Sequence, residues 1–290
     1  MTRPLRTMAT AAEGIARGDY DQQLSLQGPD EVQRLAASFN SMTSQVKMSQ
    51  QAQRDFVSNV SHDLKTPLTA IRGWSQSLLD GTAVTDAERQ QAAAIIHNET
   101  ERMQRLVSQL LDLARIESGQ LKLALEPVDL RQVLAEVQDN LAWRAQEQGI
   151  YLTDELQSTP PIGGDYDRLM QLFTNLVDNA LAHTPAGGRV HVSLKPHGET
   201  AVDVLVQDTG SGIAAEDLPR IFERFYQVDK SRARGNGRRG SGLGLAIVRE
   251  LVEAHQGTIR PYSQVGQGTA FLVRLPVYQE TPTNNANAIT

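Results

Sequence analysis

The chain has 290 residues, 40% of them hydrophobic and 21% charged, which is typical of folded globular proteins and long enough for two or three domains. Its net charge of −6 and the lack of a long basic run argue against nucleic acid as a partner. The absence of cysteine excludes disulfides and thiolate sites, and no apolar stretch reaches the roughly 18 residues of a membrane-spanning helix, so we expect a soluble chain.

Residues 1–48 are predicted to form two short amphipathic helices around a connector. Apolar residues step by three and four positions from Leu5 to Ile15 and again from Val32 to Val46. Gly28-Pro29 ends the connector, and Asp30 is predicted as the N-cap of the second helix. Such narrow apolar seams usually pair with another helix, so we expect a coiled-coil partner, with a plain helical hairpin as the alternative.

The second seam continues with helical spacing from Phe56 to Leu78 and ends at Asp80-Gly81. Thr85 or Asp86 is predicted to cap a return helix that ends near residues 118–119. The two helices form a long antiparallel hairpin. Because they cover each other incompletely, a dimeric four-helix bundle is predicted.

From residue 120 the pattern changes to short β-like runs that alternate with helices, which predicts an α+β domain. Asp129 and Gln132 suggest a capping box for a first helix through Trp143, and two more helices are predicted at 168–182 and 244–255. The polar stretch 279–290 is expected to be a frayed tail. The strand candidates are 121–125, 149–152, 190–194, 202–207, 257–261 and 270–275.

A histidine with polar neighbours is the first candidate functional residue. His62 lies about 200° of helix beyond the apolar Val60, so we expect it to face solvent. An isolated exposed histidine would be unremarkable, but Asp63 can polarise the imidazole and leave its other nitrogen as a nucleophile. The hydroxyl of Thr66, one turn on, could position a water. Pro67 predicts a kink beside the nucleophile.

Polar residues farther along predict a phosphate and nucleotide site. Asn175 and Asn179 share one helix face, and their carbonyl oxygens suit Mg²⁺ that keeps phosphates and waters as other ligands; a capping or solvated pair is the alternative. An apolar strand delivers Asp208 into a turn with Gly210 and Gly212, where the carboxylate could accept from an adenine amino group. A plain turn explains that motif equally well.

A second glycine-rich segment contains Gly240, Gly242 and Gly244 and opens a predicted helix, whose free amides and dipole favour phosphate. Its spacing matches neither the P-loop nor the dinucleotide motif. The segment from Ile221 to Tyr226 lies between the two glycine loops. It is interpreted either as a surface helix that packs by its aromatic residues or as a brace for a mobile lid.

In this order and spacing, the segments resemble the sensor histidine kinases of two-component systems over nearly the whole chain. The similar segments are the phosphoacceptor box at 62–67, the asparagine box at 175–179, the glycine boxes at 208–212 and 240–244, the phenylalanine box at 222–225, and the strand turn that flanks adenine at 266–269. Residues 1–48 resemble the HAMP relay that normally follows a transmembrane helix.

The resemblance implies a multidomain fold: an all-α coiled-coil and four-helix-bundle dimer followed by an α+β, Bergerat-type ATP-binding sandwich. It implies a HAMP relay at 1–48, a dimerisation and histidine phosphotransfer hairpin at 49–119, the ATP-binding domain at 120–278 and a disordered tail at 279–290. The implied partners are a second copy, the receiver domain of a response regulator, and an inner membrane reached through a transmembrane segment missing from this chain. The chain is then expected to be a soluble, cytoplasmic fragment.

The resemblance also implies residue roles. His62 would attack the γ-phosphate of ATP, Asp63 would act as the assisting base, and Thr66 would help to hydrolyse the phosphoryl group on the partner protein. Asn175 and Asn179 would hold Mg²⁺. The residues implied to bind the nucleotide are Asn175, Asn179, Asp208, which would select adenine, Gly210, Gly212, Gly240, Gly242, Gly244 and Thr269.

Two positions depart from the family pattern, Ala182 in place of a common lysine and Gln227 in place of a common arginine. We expect Lys230 and the arginines near Gly240 to supply the missing charge, so that neutralising Arg238 and Arg239 together would weaken ATP binding.

The alternatives to the kinase function are an ATP-driven conformational ATPase, which leaves His62 unexplained, and a non-catalytic HAMP relay. Phosphatase activity could also exceed kinase activity.

Overall fold

The computed structural model describes residues 2–24, 29–118, 120, 123–228 and 241–278. The chain divides into two compact units, Met1–Ile96 and His97–Thr290. Within the described ranges, no helix combines the length and apolar character needed to cross a membrane.

The first unit is helical. It contains α1 (Thr2–Ala16), α2 (Asp30–Leu79) and the first turns of α3 (Asp86–Glu117). Ala11, Leu24 and Ala36 form a small buried cluster. The Leu24 N–H donates to Oδ1 of Asn40 at 2.8 Å, and Nδ2 of Asn40 donates to the Leu24 carbonyl at 2.8 Å. These two bonds attach the connector to α2.

The ends of α2 and α3 show which capping predictions hold. Pro29 is the N-cap of α2 and Asp30 is its first helical residue, so the prediction of Asp30 as the cap was wrong. Proline suits this place because its missing N–H has no partner to lose at a helix start. For α3, the Glu88 N–H donates to Thr85 Oγ1 at 3.2 Å and the Thr85 N–H donates to Glu88 Oε2 at 2.9 Å, a capping box that confirms Thr85 over Asp86.

The second unit contains a two-layer α/β domain. A five-stranded sheet has the order β2-β4-β5-β7-β6, in which only the β2–β4 pair is parallel, and β1 and β3 form a separate antiparallel pair. Its elements are β1 (Glu126–Val128), α4 (Leu130–Glu147), β2 (Tyr151–Leu156), β3 (Ile162–Gly164), α5 (Tyr166–His183), β4 (Arg189–His197), β5 (Ala201–Asp208), α6 (Gly244–Ala254), β6 (Thr258–Gln264) and β7 (Gly268–Pro276).

The core of this domain lies between the helices and one face of the sheet. Leu172, Phe173 and Leu176 of α5 are fully buried, and so are alternate residues of β5, Val202 and Val204. Helical spacing on one side and alternation on the other therefore meet in one apolar layer. This layer holds α5 against the face of the sheet that contains β5.

A buried histidine joins two helices that flank the core. Nε2 of His255 accepts from the Asp165 N–H at 3.1 Å, and its Nδ1 lies 2.7 Å from the Leu251 carbonyl, to which it donates. Asp165 is also the N-cap of α5 and accepts from the Arg168 N–H. Burial lowers the pKa of His255, which favours the neutral ring that this pair of bonds requires.

Several elements differ from the sequence predictions. Residues 123–125 are not in a strand, and β1 lies immediately after them; the three-residue β3 was missed because it is too short to show alternation. The segment from Ile221 to Tyr226 forms turns, so its interpretation as a surface helix was wrong. Burial of Ile221 and Phe222 supplies the reason, since both side chains enter the core instead of lying on a helix surface.

Candidate functional site

The candidate nucleophile lies in the first unit, in the middle of α2. The His62 side chain is 68% exposed, as its spacing from Val60 predicts, and Nδ1 lies 3.5 Å from Oδ1 of Asp63. Thr66 Oγ1 donates to the His62 carbonyl at 3.2 Å. The helix continues through Pro67 over its 50 residues. Asp63 is therefore placed to orient the ring and leave Nε2 accessible to a reactant.

The end of β5 holds the buried carboxylate of Asp208. Oδ1 of Asp208 accepts from the N–H groups of Gly210 at 2.8 Å and Thr269 at 3.2 Å. Within the part of the chain that the structure describes, Oδ2 accepts no hydrogen bond. Burial raises the pKa of Asp208, and the two amide bonds oppose that change. A carboxylate fixed in this way presents a single acceptor to a ligand.

The first glycine turn brings backbone segments close together. A Cβ on Gly210 would lie 2.3 Å from the His183 carbonyl oxygen, and one on Gly212, where φ is +70°, would lie 2.1 Å from the Gln264 carbonyl oxygen. Glycine is therefore required at both positions, because neighbouring backbone atoms of the protein leave no space for a Cβ. The turn is fixed between the end of α5 and the β6–β7 turn.

Thr269 contributes chiefly through its backbone. Its side chain is buried and Oγ1 lies 2.9 Å from Ser263 Oγ, while Ser263 also accepts from the Ile213 N–H at 2.8 Å. These bonds attach β7 to the glycine turn. They also aim the Thr269 N–H at Asp208. No sequence pattern indicated a role for Ser263, because a strand serine is ordinarily a surface residue.

The asparagine pair lies on α5 and is partly buried. Among the described residues, Nδ2 of Asn175 is occluded from solvent and has no hydrogen-bond partner. Such an orphaned amide fits a ligand group at this point, because a buried polar atom without a partner is costly. Between the two asparagines, Asp178 forms an ion pair with Arg144 of α4, a contact that the sequence did not reveal.

The second glycine segment packs against the phenylalanine box. The Phe225 N–H donates to the Gly242 carbonyl at 3.0 Å, and a Cβ on Gly242 would lie 2.7 Å from Cα of Phe225. Gly244 begins α6 and has open space around it. Gly240 and the cationic residues Lys230, Arg238 and Arg239 lie outside the described residues.

The aromatic segment supports this packing. Phe222 is buried and meets Phe271 edge-on, with ring centroids 6.3 Å apart. The Tyr226 hydroxyl donates to Asp217 Oδ1 at 2.5 Å, and the Arg220 guanidinium lies 4.3 Å from the Tyr226 ring centroid. The segment thus attaches the second glycine loop to the sheet.

A surface cleft of about 530 Å³ lies elsewhere, between α4 and the edge strand β2. None of the sequence-predicted site residues lines it. In the described ranges, no three His, Cys, Asp or Glu side chains gather into a metal site. The asparagine pair itself offers carboxamide oxygens, which suit a Mg²⁺ ion that keeps water and phosphate as its other ligands.

Three family models match the chain in succession. Residues 1–48 match the HAMP domain, residues 52–119 the His Kinase A (phospho-acceptor) domain, and residues 164–279 the histidine kinase-, DNA gyrase B- and HSP90-like ATPase. The second match contains His62, and the third contains Asn175, Asn179 and Asp208.

Individual proteins show the same likeness. The sensor histidine kinase YclK of Bacillus subtilis is 37% identical over 281 residues, which cover 94% of this chain and 58% of that protein. The histidine kinase AdeS of Acinetobacter baumannii is 28% identical with a TM-score of 0.61 over 75% of this chain and 98% of that one. Full-length ShkA, solved with AMPPNP, is 31% identical with a TM-score of 0.59, over 79% of this chain and 47% of that one.

YclK is much longer than the region it shares with this chain, which spans little more than half of it. Within that region, the phospho-acceptor match that contains His62 precedes the ATPase match that contains Asp208. The chain belongs to the sensor histidine kinases of two-component systems.

Proposed function

We propose that this chain binds Mg²⁺-ATP in its second unit, transfers the γ-phosphoryl group to His62, and then donates that group to an aspartate of a response-regulator receiver domain. Asp208 carries the proposal. One of its oxygens is held by two backbone amides and the other is free among the described residues, which suits an adenine amino group. The ShkA structure with AMPPNP supports a nucleotide in this fold.

Asn175 and Asn179 would hold Mg²⁺ through their carboxamide oxygens, and the cation would neutralise phosphate charge. The orphaned Nδ2 of Asn175 is a hydrogen-bond donor, so it supports an acceptor such as a phosphate oxygen beside the cation. The remaining nucleotide contacts that we propose come from the backbone of the glycine boxes. Gly244 opens α6, where free N–H groups and the helix dipole favour phosphate.

His62 would act as the nucleophile through Nε2. Asp63 faces Nδ1 and would stabilise the positive charge that develops on the ring as the bond to phosphorus forms and ADP leaves. His62 and the nucleotide residues belong to different compact units, so the reaction requires a docking step. We also propose that Thr66 supports hydrolysis of the phosphoryl group on the response regulator.

We further propose that the working form is a homodimer. Apolar side chains at Leu35, Met42, Val57 and Leu68 of α2 are at least half exposed, which supports burial against a second copy. The HAMP match supports input from a membrane-spanning segment outside this chain, and thus a place at the cytoplasmic side of the inner membrane. Nucleic acid has no part in the proposal.

The test is incubation of the purified chain with Mg²⁺ and γ-labelled ATP, followed by acid and alkali treatment. We expect acid-labile, alkali-stable label that is lost in His62→Gln and kept in His97→Gln, a matched control because His97 is another exposed helical histidine. ATP hydrolysis without label would favour the conformational ATPase. A chain that shows no ATP hydrolysis and no label would favour the non-catalytic relay.

A further inference from the structure

We infer that Arg144 is a positioning residue of the proposed nucleotide site, which keeps the carboxylate of Asp178 paired so that Asn175 and Asn179 meet Mg²⁺-ATP without a competing negative charge. The inference rests on the proposed function. Arg144 of α4 and Asp178 of α5 form an ion pair, and neither residue belongs to the predicted site.

The position of Asp178 on α5 makes its charge consequential. It immediately precedes Asn179 and lies three residues after Asn175, so its carboxylate emerges close to the face that would hold the cation. Oδ1 of Asp178 is occluded from solvent, and it is this oxygen that Arg144 contacts. The Asp178 side chain as a whole is 41% exposed, so loss of its cation would leave a negative charge that solvent screens only in part.

Arg144 is the cation that the structure places against this part of α5. From Leu169 to His183, α5 contains no lysine or arginine. Arg144 comes instead from the last turn of α4, and its side chain is 24% exposed. The alanine at position 182, one turn after Asp178, supplies no charge. The charge balance at the asparagine face therefore depends on a neighbouring helix.

Loss of Arg144 would act on ATP binding through Asp178. An unpaired carboxylate at this position would repel the triphosphate and draw Mg²⁺ away from the asparagines. If this is the cause, removing the charge of Asp178 as well should restore binding. A purely structural role of the pair predicts the opposite, because a second substitution would leave the helix contact still broken.

The experiment measures Mg²⁺-ATP binding to the whole chain by titration calorimetry. For Arg144→Gln we expect about a tenfold weaker Kd, which corresponds to about 1.4 kcal/mol. Arg144→Lys and the double variant Arg144→Gln/Asp178→Asn should bind within about threefold of the unsubstituted chain, well under that energy. Arg131→Gln is the matched control, since Arg131 is an exposed arginine on the same helix.

Each outcome separates the inference from the proposed function. Binding by the unsubstituted chain with an unchanged Kd in Arg144→Gln overturns the inference alone. A double variant as weak as Arg144→Gln overturns it too, because the damage then does not come from Asp178. If Arg144→Gln does not fold, Asp178→Asn provides the test. ATP binding weakened tenfold by Asp178→Asn would contradict the inference, because it would show that the carboxylate does not oppose binding. Failure of the unsubstituted chain to bind ATP overturns both.

Discussion

Gly212→Ala tests whether the first glycine box is required by contacts within the protein. Gly212 has φ of +70°, and an added Cβ would lie 2.1 Å from the Gln264 carbonyl oxygen and 2.9 Å from Cα of Val265. Both neighbours are backbone atoms, so no side chain can rotate away. The β6–β7 turn would have to shift, and with it the strand that supplies the Thr269 N–H to Asp208.

The cost follows from two contributions. A left-handed backbone conformation costs a residue with a Cβ about 1–2 kcal/mol. Overpacking against a fixed neighbour adds about 1–3 kcal/mol, for a total of roughly 2–5 kcal/mol. In a domain of this size that corresponds to a melting temperature lower by roughly 5–15 °C.

Two other glycines separate the contributions. Gly187 has φ of +82° with open space at its Cβ position, so Gly187→Ala should cost only the backbone part, about 1–2 kcal/mol. Gly244 is helical, and it has no neighbour within 4 Å and no positive φ, so Gly244→Ala should be neutral or slightly stabilising. Each of the three variants adds the same single methyl group to the unsubstituted chain.

The assay is thermal unfolding of the whole chain by circular dichroism and calorimetry, with ATP binding measured in parallel. We expect Gly212→Ala to lower the melting temperature of the α/β domain most, Gly187→Ala less and Gly244→Ala least. A Gly212→Ala variant no less stable than Gly187→Ala would refute the steric reasoning.

Other predictions concern the core and the nucleotide site. Burial lowers the pKa of His255, so its contribution to stability should be complete above its unfolded pKa near 6.5 and lost as pH falls through its folded pKa. Urea unfolding at a series of pH values should show the free energy of unfolding fall over this range. The variant His255→Gln should show a smaller fall. Phe222→Ala should destabilise the domain by about 3–5 kcal/mol in the same measurement, because its ring is buried against Phe271. Asp208→Asn should weaken ATP binding about tenfold or more in calorimetry, since a charge-assisted acceptor contributes about 1.5–3 kcal/mol. Its fold should persist, because an amide oxygen can still accept from Gly210 and Thr269.

Local patterns were sufficient to predict much of the architecture. The cap at Thr85, the amphipathic α5 and the alternation of β5 each involve residues only a few positions apart. The exposure of His62 followed from its angle to Val60 on one helix. The roles of the site residues remain predictions, since geometry shows where they lie and the proposed experiments show what they do.

Short elements were less predictable. The three-residue β3 exists because Ile162 to Gly164 pair with β1, 36 residues away in the chain, and the run itself carries no periodic signal. Residues 221–226 were interpreted either as a surface helix or as a brace for a lid, and burial of Phe222 against Phe271 favours turns over the helix. In both cases a distant partner outweighs local preference.

Residue types and periodicity were enough to indicate a helical half and an α+β half, and the resemblance of the motifs in their order indicated the histidine kinase family. Folding alone brought Arg144 to Asp178 and His255 to Asp165, pairs separated by 34 and 90 positions. It likewise showed that Gly210 and Gly212 are required by neighbouring carbonyl oxygens before any ligand is considered. Partners so distant in the chain leave no periodic trace, because only packing of the completed domain determines which charges and backbone segments meet.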